Sequence, residues 1–408
     1  MGVMGKSLTT VGVVAGLLCL GLLAVAQAGC GEDDSSAAQA PSSTTSTTVA
    51  LSGVRRPLAP RPYTLPPGAL TVSSSQELAA ALSDGRREVI VLTPGIYDNP
   101  RPFSDREGDQ LYASRLGAAV FRAGIVLGSN SGPPGALIRG LTFRIRDPAK
   151  TLEGSIVHVW GSAAHASVLD TRLEGHGRLD SGLLVRQPEG FLGKRIVATG
   201  FRGYGVVVDP NEQNYQARRP FVLRDLAISS VRRPVRGSSN GRAEACLWLG
   251  SPGTVQRVSV RRCGITGIWT GTAMRSSRIT DVTIDRAPVG IYIEHYTTGT
   301  TFQRLRVGPN VSRGVNAEWS NLAVGQKPAS VGNLIQDAEF RTTHVGVYLD
   351  QGTTRTVVRR SRFAGQSWAA IGDYLGNGNR YYDNDFGGIA SSAVSVTHDH
   401  DPAGGAKR

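Results

Sequence analysis

Gly290-Ile-Tyr-Ile-Glu294, Gly314-Val-Asn-Ala-Glu318, Gly346-Val-Tyr-Leu-Asp350 and Ala369-Ala-Ile-Gly-Asp373 are four versions of one phrase. Each is a small residue, a short and mostly apolar run, and an acid four residues on. Gly267-Ile-Trp-Thr-Gly271 is the same phrase without the acid. From Gly267 onward the steps between starts are 23, 24, 32 and 23 residues. A fixed period of this size marks a solenoid, in which each repeat buries its apolar side only against its neighbours.

Working outward, the same coil is countable upstream. Ser167-Val-Leu-Asp-Thr-Arg-Leu173 leads to Gly182-Leu-Leu-Val-Arg186, Val222-Leu-Arg-Asp-Leu-Ala-Ile228 to Cys246-Leu-Trp-Leu249, and Ile279-Thr-Asp-Val-Thr-Ile284 to Gly290. Each coil offers two short strands whose apolar residues alternate, the pattern of half-buried strands. No helical pattern of useful length lies between Ala136 and Phe386. A sandwich or propeller needs tight Asn-Gly or Asp-Gly hairpins between alternate strands, and these are scarce. The expected fold is all-β, a right-handed single-stranded parallel β-helix with an N-terminal cap. The cap is read in Leu70–Leu82, where Ser74 or Ser75 starts a short helix with Leu78, Ala81 and Leu82 on one face. Val89-Ile-Val-Leu92 then forms a buried strand, followed by a Pro94-Gly95 turn. Such a cap covers the first coil, which has no neighbour.

The N-terminal stretch is an address. Lys6 precedes an apolar run from Val11 to Ala26, and Ala26-Gln27-Ala28 fits a small-x-small cleavage site. Gly29-Cys30 after it resembles a bacterial lipoprotein start, which implies lipidation of Cys30. A cleaved secreted chain and an uncleaved anchor are the other readings. All place the domain outside the cytoplasm, touching a membrane only through that end. The organisation expected is a signal peptide over 1–29, a linker over 30–69, a β-helix over 70–388 and a flexible tail over 389–408. The linker is rich in Ser, Thr, Ala and Pro and has too little apolar content to offset its ordering entropy.

Formal net charge is +13. The arginines are dispersed, with no basic block and interleaved aromatics, so a solvated surface is favoured over attraction to a polyanion, whether nucleic acid, polyuronate or an anionic envelope. No phosphate-binding loop, dinucleotide fingerprint, nucleophile elbow or zinc spacing is present, which argues against ATP-, NAD- or zinc-dependent chemistry. Cys246 and Cys263 are 17 residues apart against a local period of 21 to 24. They are read as small buried core residues at different places around the coil rather than as a disulfide.

Successive coils set equivalent residues about 4.7–4.9 Å apart. Glu294, Glu318, Asp350 and Asp373 are therefore expected in one line on one outer face, with Asp209 in the same phase. Neighbouring carboxylates at that spacing repel by about 3 kcal/mol at an effective dielectric of 20. Solvation at a turn, a shared cation such as Ca²⁺ on Glu318 and Asp350, or a raised pKa suited to acid/base work would each relieve that repulsion. The residues after the acids are His295, Trp319, Gln351 and Tyr374, flat or hydrogen-bonding groups that suit sugar rings. Three longer coils, Pro210–Pro220, Pro234–Glu244 and Trp319–Gly332, carry insertions of the kind that gather on a binding face.

The cap, the coil length and the in-phase glycines resemble the right-handed parallel β-helix superfamily of pectate lyases, polygalacturonases and alginate epimerases. The resemblance implies an extracytoplasmic protein acting on a polysaccharide or cell-envelope glycan, acidic for many members. Lyases of that group often neutralise a uronate with carboxylate-bound Ca²⁺ and abstract the proton with Arg or Lys. Gly175-His-Gly177 is a fragment of the polygalacturonase pattern, and Tyr204-Gly205 with Asp209-Pro-Asn-Glu212 is a partial echo of the alginate-epimerase motif. No subfamily motif is complete. Lyase, hydrolase and non-catalytic glycan binder all stay open, and a monomer is expected.

Overall fold

The alternating coil strands become parallel ladders. The computed structural model describes residues 53–128, 135–160, 165–209, 219–232, 245–271, 274–294, 296–317, 330–350, 352–374, 378–389 and 392–397. The signal segment, Cys30 and most of the three insertions lie outside these residues. One sheet has 12 strands in sequence order, from Phe103–Asp105 and Ile125–Leu127 through Ala245–Leu249, Thr266–Thr270, Ala287–Ile293, Val311–Ala317, Val345–Leu349 and Ala369–Tyr374 to Ser392–Thr397. Each strand pairs in parallel with the corresponding strand one coil on. A larger sheet of 20 strands forms the rest of the wall. A short third one joins Thr297–Thr298, Ser330–Val331 and Thr353–Thr354. The chain is a parallel β-helix, as the period predicted.

The core is a file of residues contributed one per coil. Tyr97, Phe121 and Phe143 begin it, and Phe340 and Phe363 stand at the same register near the far end. The Phe340 and Phe363 rings stack at 5.1 Å and 19°. The phrase glycines belong to this packing. A Cβ on Gly314 would come within 2.5 Å of Phe340 Cδ1, and one on Gly346 within 2.6 Å of the Ala370 carbonyl oxygen. The small residue that opens each phrase therefore makes room for a core ring and for the next coil. The N-terminal cap forms as expected: a helix over Ser75–Ala81, capped by Ser74, which accepts from Glu77 N at 3.2 Å, buries Leu78 and Ala81.

A second file runs along the corner of the larger sheet. Asp170, Arg195, Asp225, Arg257, Asp281, Arg304, Asp337, Arg360 and Asp383 occupy one register position on consecutive coils, acid and base alternating. All nine have φ between 47° and 61°. Asp tolerates this left-handed region, whereas for Arg it costs of order 1 kcal/mol. Ion pairs offset that cost. Arg257 donates Nε and Nη2 to the two carboxylate oxygens of Asp225 at 2.5 and 2.8 Å. Arg304 does the same to Asp281 at 2.7 and 2.8 Å, and Arg195 grips Asp170 likewise. Burial works against the carboxylates of Asp170, Asp225, Asp281 and Asp337. The arginine hydrogen bonds outweigh it and hold all four below the usual carboxylate range.

Three expectations are corrected here. The supposed linker is ordered on the body over its last part: main-chain N–H groups of Arg55, Leu58 and Arg61 donate to Asp281, Asp225 and Asp170 at 3.3, 3.0 and 3.1 Å. Composition missed this because buried carboxylates hold the segment, not apolar burial. The tail expected from 389 begins with a strand, Ser392–Thr397, on the last coil. Cys246 and Cys263 form a disulfide, with Cα atoms 5.6 Å apart. Ala245 pairs with Thr266, so Gly267 lies directly above Cys246. Cys263, four residues before Gly267, stands at the same corner one coil on, which the spacing argument overlooked.

Candidate aromatic ridge on the outer face

In the 12-stranded sheet the third residue of each phrase faces outward, because its neighbours on either side face the core. The register sets Trp248 beside Trp269, then Tyr292, Asn316, Tyr348 and Gly372. Ring centroids lie 6.1 Å apart for Tyr204–Trp248, 6.4 Å for Trp248–Trp269 and 5.4 Å for Trp269–Tyr292. All four rings are half-buried, each showing part of its surface to solvent. Further along, Tyr348 is buried beneath Trp368, 5.8 Å away, and the Arg313 guanidinium, 5.7 Å from its ring. His344 stacks on Trp368 at 5.5 Å and 18°. Gly372 makes this possible: a Cβ there would stand 2.6 Å from the Trp368 ring.

The expected acid column is only partly assembled. Ile293, Ala317, Leu349 and Asp373 share one register position. Glu294 and Asp350, each one residue further on, are therefore in phase, and the residue in phase with them on the next coil is Tyr374, not Asp373. Val345 pairs with Ala369, so Gly346 matches Ala370, and the last phrase begins at Ala370 rather than at Ala369. A one-residue slip turns a side chain to the opposite face. Asp373 accordingly points into the final coil, where it accepts from Asn379 Nδ2 at 3.1 Å and from the Tyr381 hydroxyl. Burial, with Asp373 beside it, pushes the Tyr381 pKa far above its ordinary value.

Glu294 belongs to the ridge. Its Oε2 accepts from Trp269 Nε1 at 2.9 Å. Gly271, in phase one coil earlier, leaves room for it, since a Cβ there would meet that carboxylate. Asp350 is buried. Tyr374 is half-buried. Glu318, His295, Trp319 and Gln351 lie outside the described residues. Among the described residues no three His, Cys, Asp or Glu side chains converge as a metal site.

The ridge thus offers flat apolar faces at one-coil spacing and a carboxylate oriented by an indole N–H. Faces of this kind cover sugar rings, and the carboxylate accepts from hydroxyls. Sequence reading looked at the residue after each acid and passed over Trp248, Trp269, Tyr292 and Tyr348. The signal was present as an aromatic at the third position of successive phrases.

No protein-family profile and no curated protein matches the sequence. Among solved structures, the chain is similar to PfbA, a surface adhesin of Streptococcus pneumoniae, at 8% identity and a TM-score of 0.53, over 81% of this chain and 94% of that one. A catalytic unit of a GH87 α-1,3-glucanase from Streptomyces thermodiastaticus aligns at 11% identity and a TM-score of 0.44, over 82% and 69% of the two chains. The A-module of the Azotobacter vinelandii mannuronan C-5 epimerase AlgE4 aligns at 12% and 0.34, over 81% and 97%. The first of these likenesses carries the right-handed parallel β-helix fold, and at such identity it carries the fold alone.

Proposed function

We propose that this protein is an extracytoplasmic glycan-binding β-helix that holds a polysaccharide along the ridge of Tyr204, Trp248, Trp269 and Tyr292. The observation that carries the reading is the file of half-exposed rings on consecutive coils, with Glu294 anchored on Trp269. A chain of sugars laid along the helix axis meets a ring at each coil, and its hydroxyls meet the carboxylate. Likeness to a surface adhesin and to polysaccharide-active β-helices is compatible with this and adds the fold only. A signal segment ahead of the domain accords with export, and lipidation of Cys30 would keep it at the cell surface.

A lyase or hydrolase needs a second titratable group near Glu294. Glu318, expected from the sequence to follow Glu294 one coil on, lies outside the described residues. A single experiment separates the readings: glycan binding and turnover measured for wild type, Trp269→Ala and Glu294→Gln on polyuronates and neutral glycans, with and without Ca²⁺. Covering about 60 Å² of indole by a sugar at roughly 25 cal/mol per Å² amounts to about 1.5 kcal/mol. Trp269→Ala is therefore expected to weaken binding about tenfold. Glu294→Gln is expected to retain most binding. Unchanged affinity in Trp269→Ala removes the ridge as the site, and turnover abolished by Glu294→Gln makes the protein an enzyme.

A further inference from the structure

The segment ahead of the cap shows a period of its own. Val54, Pro57, Pro60 and Tyr63 are half-buried, and the residues between them are exposed. The donors to the acids are the residues just after the first three: Arg55, Leu58 and Arg61. Three residues of polyproline-type chain rise about 9.3 Å. The acids alternate with arginines, so successive acids are two coils apart, about 9.6 Å. The two repeats therefore run in register, the segment descending the body while the coils ascend it. Proline suits such a strand, since it fixes φ and leaves no N–H to satisfy on the exposed side.

Recognition is by backbone. Leu58 is 53% exposed while its N–H reaches Asp225. The strand ends on a ring: the Tyr63 hydroxyl stands 2.6 Å from the Ala113 carbonyl oxygen and 3.0 Å from that of Arg139, and the Arg139 guanidinium lies 4.2 Å from the ring centre. The coil position preceding Asp170 is Gly140, and a Cβ there would collide with Tyr63. Burial pushes the Tyr63 hydroxyl up to about 12, so it remains a donor at neutral pH. Where the strand passes, the side chains of Asp170, Asp225 and Asp281 are 0% exposed, whereas Asp337, gripped by Arg360 in the same manner but with no strand over it among the described residues, is 17% exposed.

We propose that Asp170, Asp225 and Asp281, with the pocket over Gly140, form a peptide-binding site for an extended, proline-rich strand that donates a main-chain N–H at every third residue. Residues 54–63 of this chain are its resident occupant, and the site accepts the same strand supplied in trans. The site lies on the larger sheet and is independent of the ridge.

A protease recognition sequence inserted after Gly68, an exposed turn residue with nothing near its Cβ, allows the folded full chain to be nicked. After cleavage the N-terminal fragment is expected to stay with the body in gel filtration and to exchange with a labelled synthetic peptide spanning Gly53 to Pro67. A peptide with Leu58→Pro, which lacks the central N–H, is expected to bind about tenfold more weakly, the worth of a hydrogen bond to a charged acceptor. A peptide with Ala59→Pro is expected to bind as wild type. In the body, Asp225→Asn is expected to weaken peptide binding and Asp337→Asn to leave it unchanged. Immediate loss of the fragment, equal binding of the two proline peptides, or equal effects of the two body variants overturns the proposal. If the insertion prevents folding, hydrogen exchange on the intact chain decides. Amides of Arg55, Leu58 and Arg61 exchange slowly relative to those of Arg56 and Ala59 if it is right, and all at one rate if it is wrong.

Discussion

Replacing Asp225 by Asn tests whether the corner file of alternating acids and arginines holds the coils together. Asn tolerates the left-handed backbone found at this position, so strain is not introduced. What is lost is a charge whose side chain is 0% exposed, paired with an Arg257 that is 19% exposed. Removing one partner of a fully buried pair costs about 3–5 kcal/mol. Arg257 retains some water, which lowers that to about 2 kcal/mol. The Leu58 N–H keeps a neutral acceptor in place of a charged one, a further loss of about 0.5 kcal/mol. Together these give about 2–3 kcal/mol at pH 7, read from urea unfolding. A solenoid can unfold in parts, so hydrogen exchange of the amides in Phe221–Val231 should accompany the titration. Glu174→Gln is the control, because its partner Arg144 is 56% exposed, and an exposed pair contributes about 1 kcal/mol or less. If Asp225→Asn costs no more than this control, the file is a by-product of the corner geometry rather than a support for it.

Acid should weaken the same file. Asp170, Asp225, Asp281 and Asp337 titrate below their ordinary value of about 4, so their contribution is complete above that pH and lost as pH falls through the lowered folded values. Two other buried groups have opposite signs in the window between about pH 4 and 7. Burial pushes His158 down to about 4, so its share of stability is lost as pH falls below about 6.5. Burial also pushes Asp109 up to about 7, so its share is lost as pH rises above about 4. Relative to wild type, the unfolding free energy should slope more steeply upward with pH across this window in Asp109→Asn and more steeply downward in His158→Leu; parallel profiles for all three would refute the assignment. Reducing the Cys246–Cys263 bond, or Cys263→Ser, should lower stability by about 3 kcal/mol from loop closure over 17 residues, with an unchanged urea midpoint as the contrary result. Gly346→Ala should cost about 2 kcal/mol or more by overpacking against Phe363 and the next coil, whereas Gly332→Ala, with open space around it, should lack that packing cost and show only backbone strain.

The repeat itself was determined by the sequence. Coil length, alternation and in-phase small residues allow one economical burial scheme, and the ladders follow it from Phe103 to Thr397. The corner file was also written there, in Asp170, Asp225, Asp281 and Asp337 and the arginines between them. It passed unread because a charged residue inside a strand looks like an outward-facing one until the bend is known. Register at Ala369-Ala370 was beyond the sequence, since two alanines serve equally as the small residue. Only contact with the preceding coil chose Ala370, and that choice moved Asp373 from the outer face to the interior. The disulfide likewise needed the path around the corner, because Cα separation depends on where the coil turns and not on residue count. Residues 54–67 show the same division. Their composition states that they cannot bury enough apolar surface to fold alone, and that is true. What orders Arg55 to Tyr63 is a row of carboxylates and a carbonyl pocket contributed by coils 50 to 226 residues away, a surface that exists only once the helix has been wound.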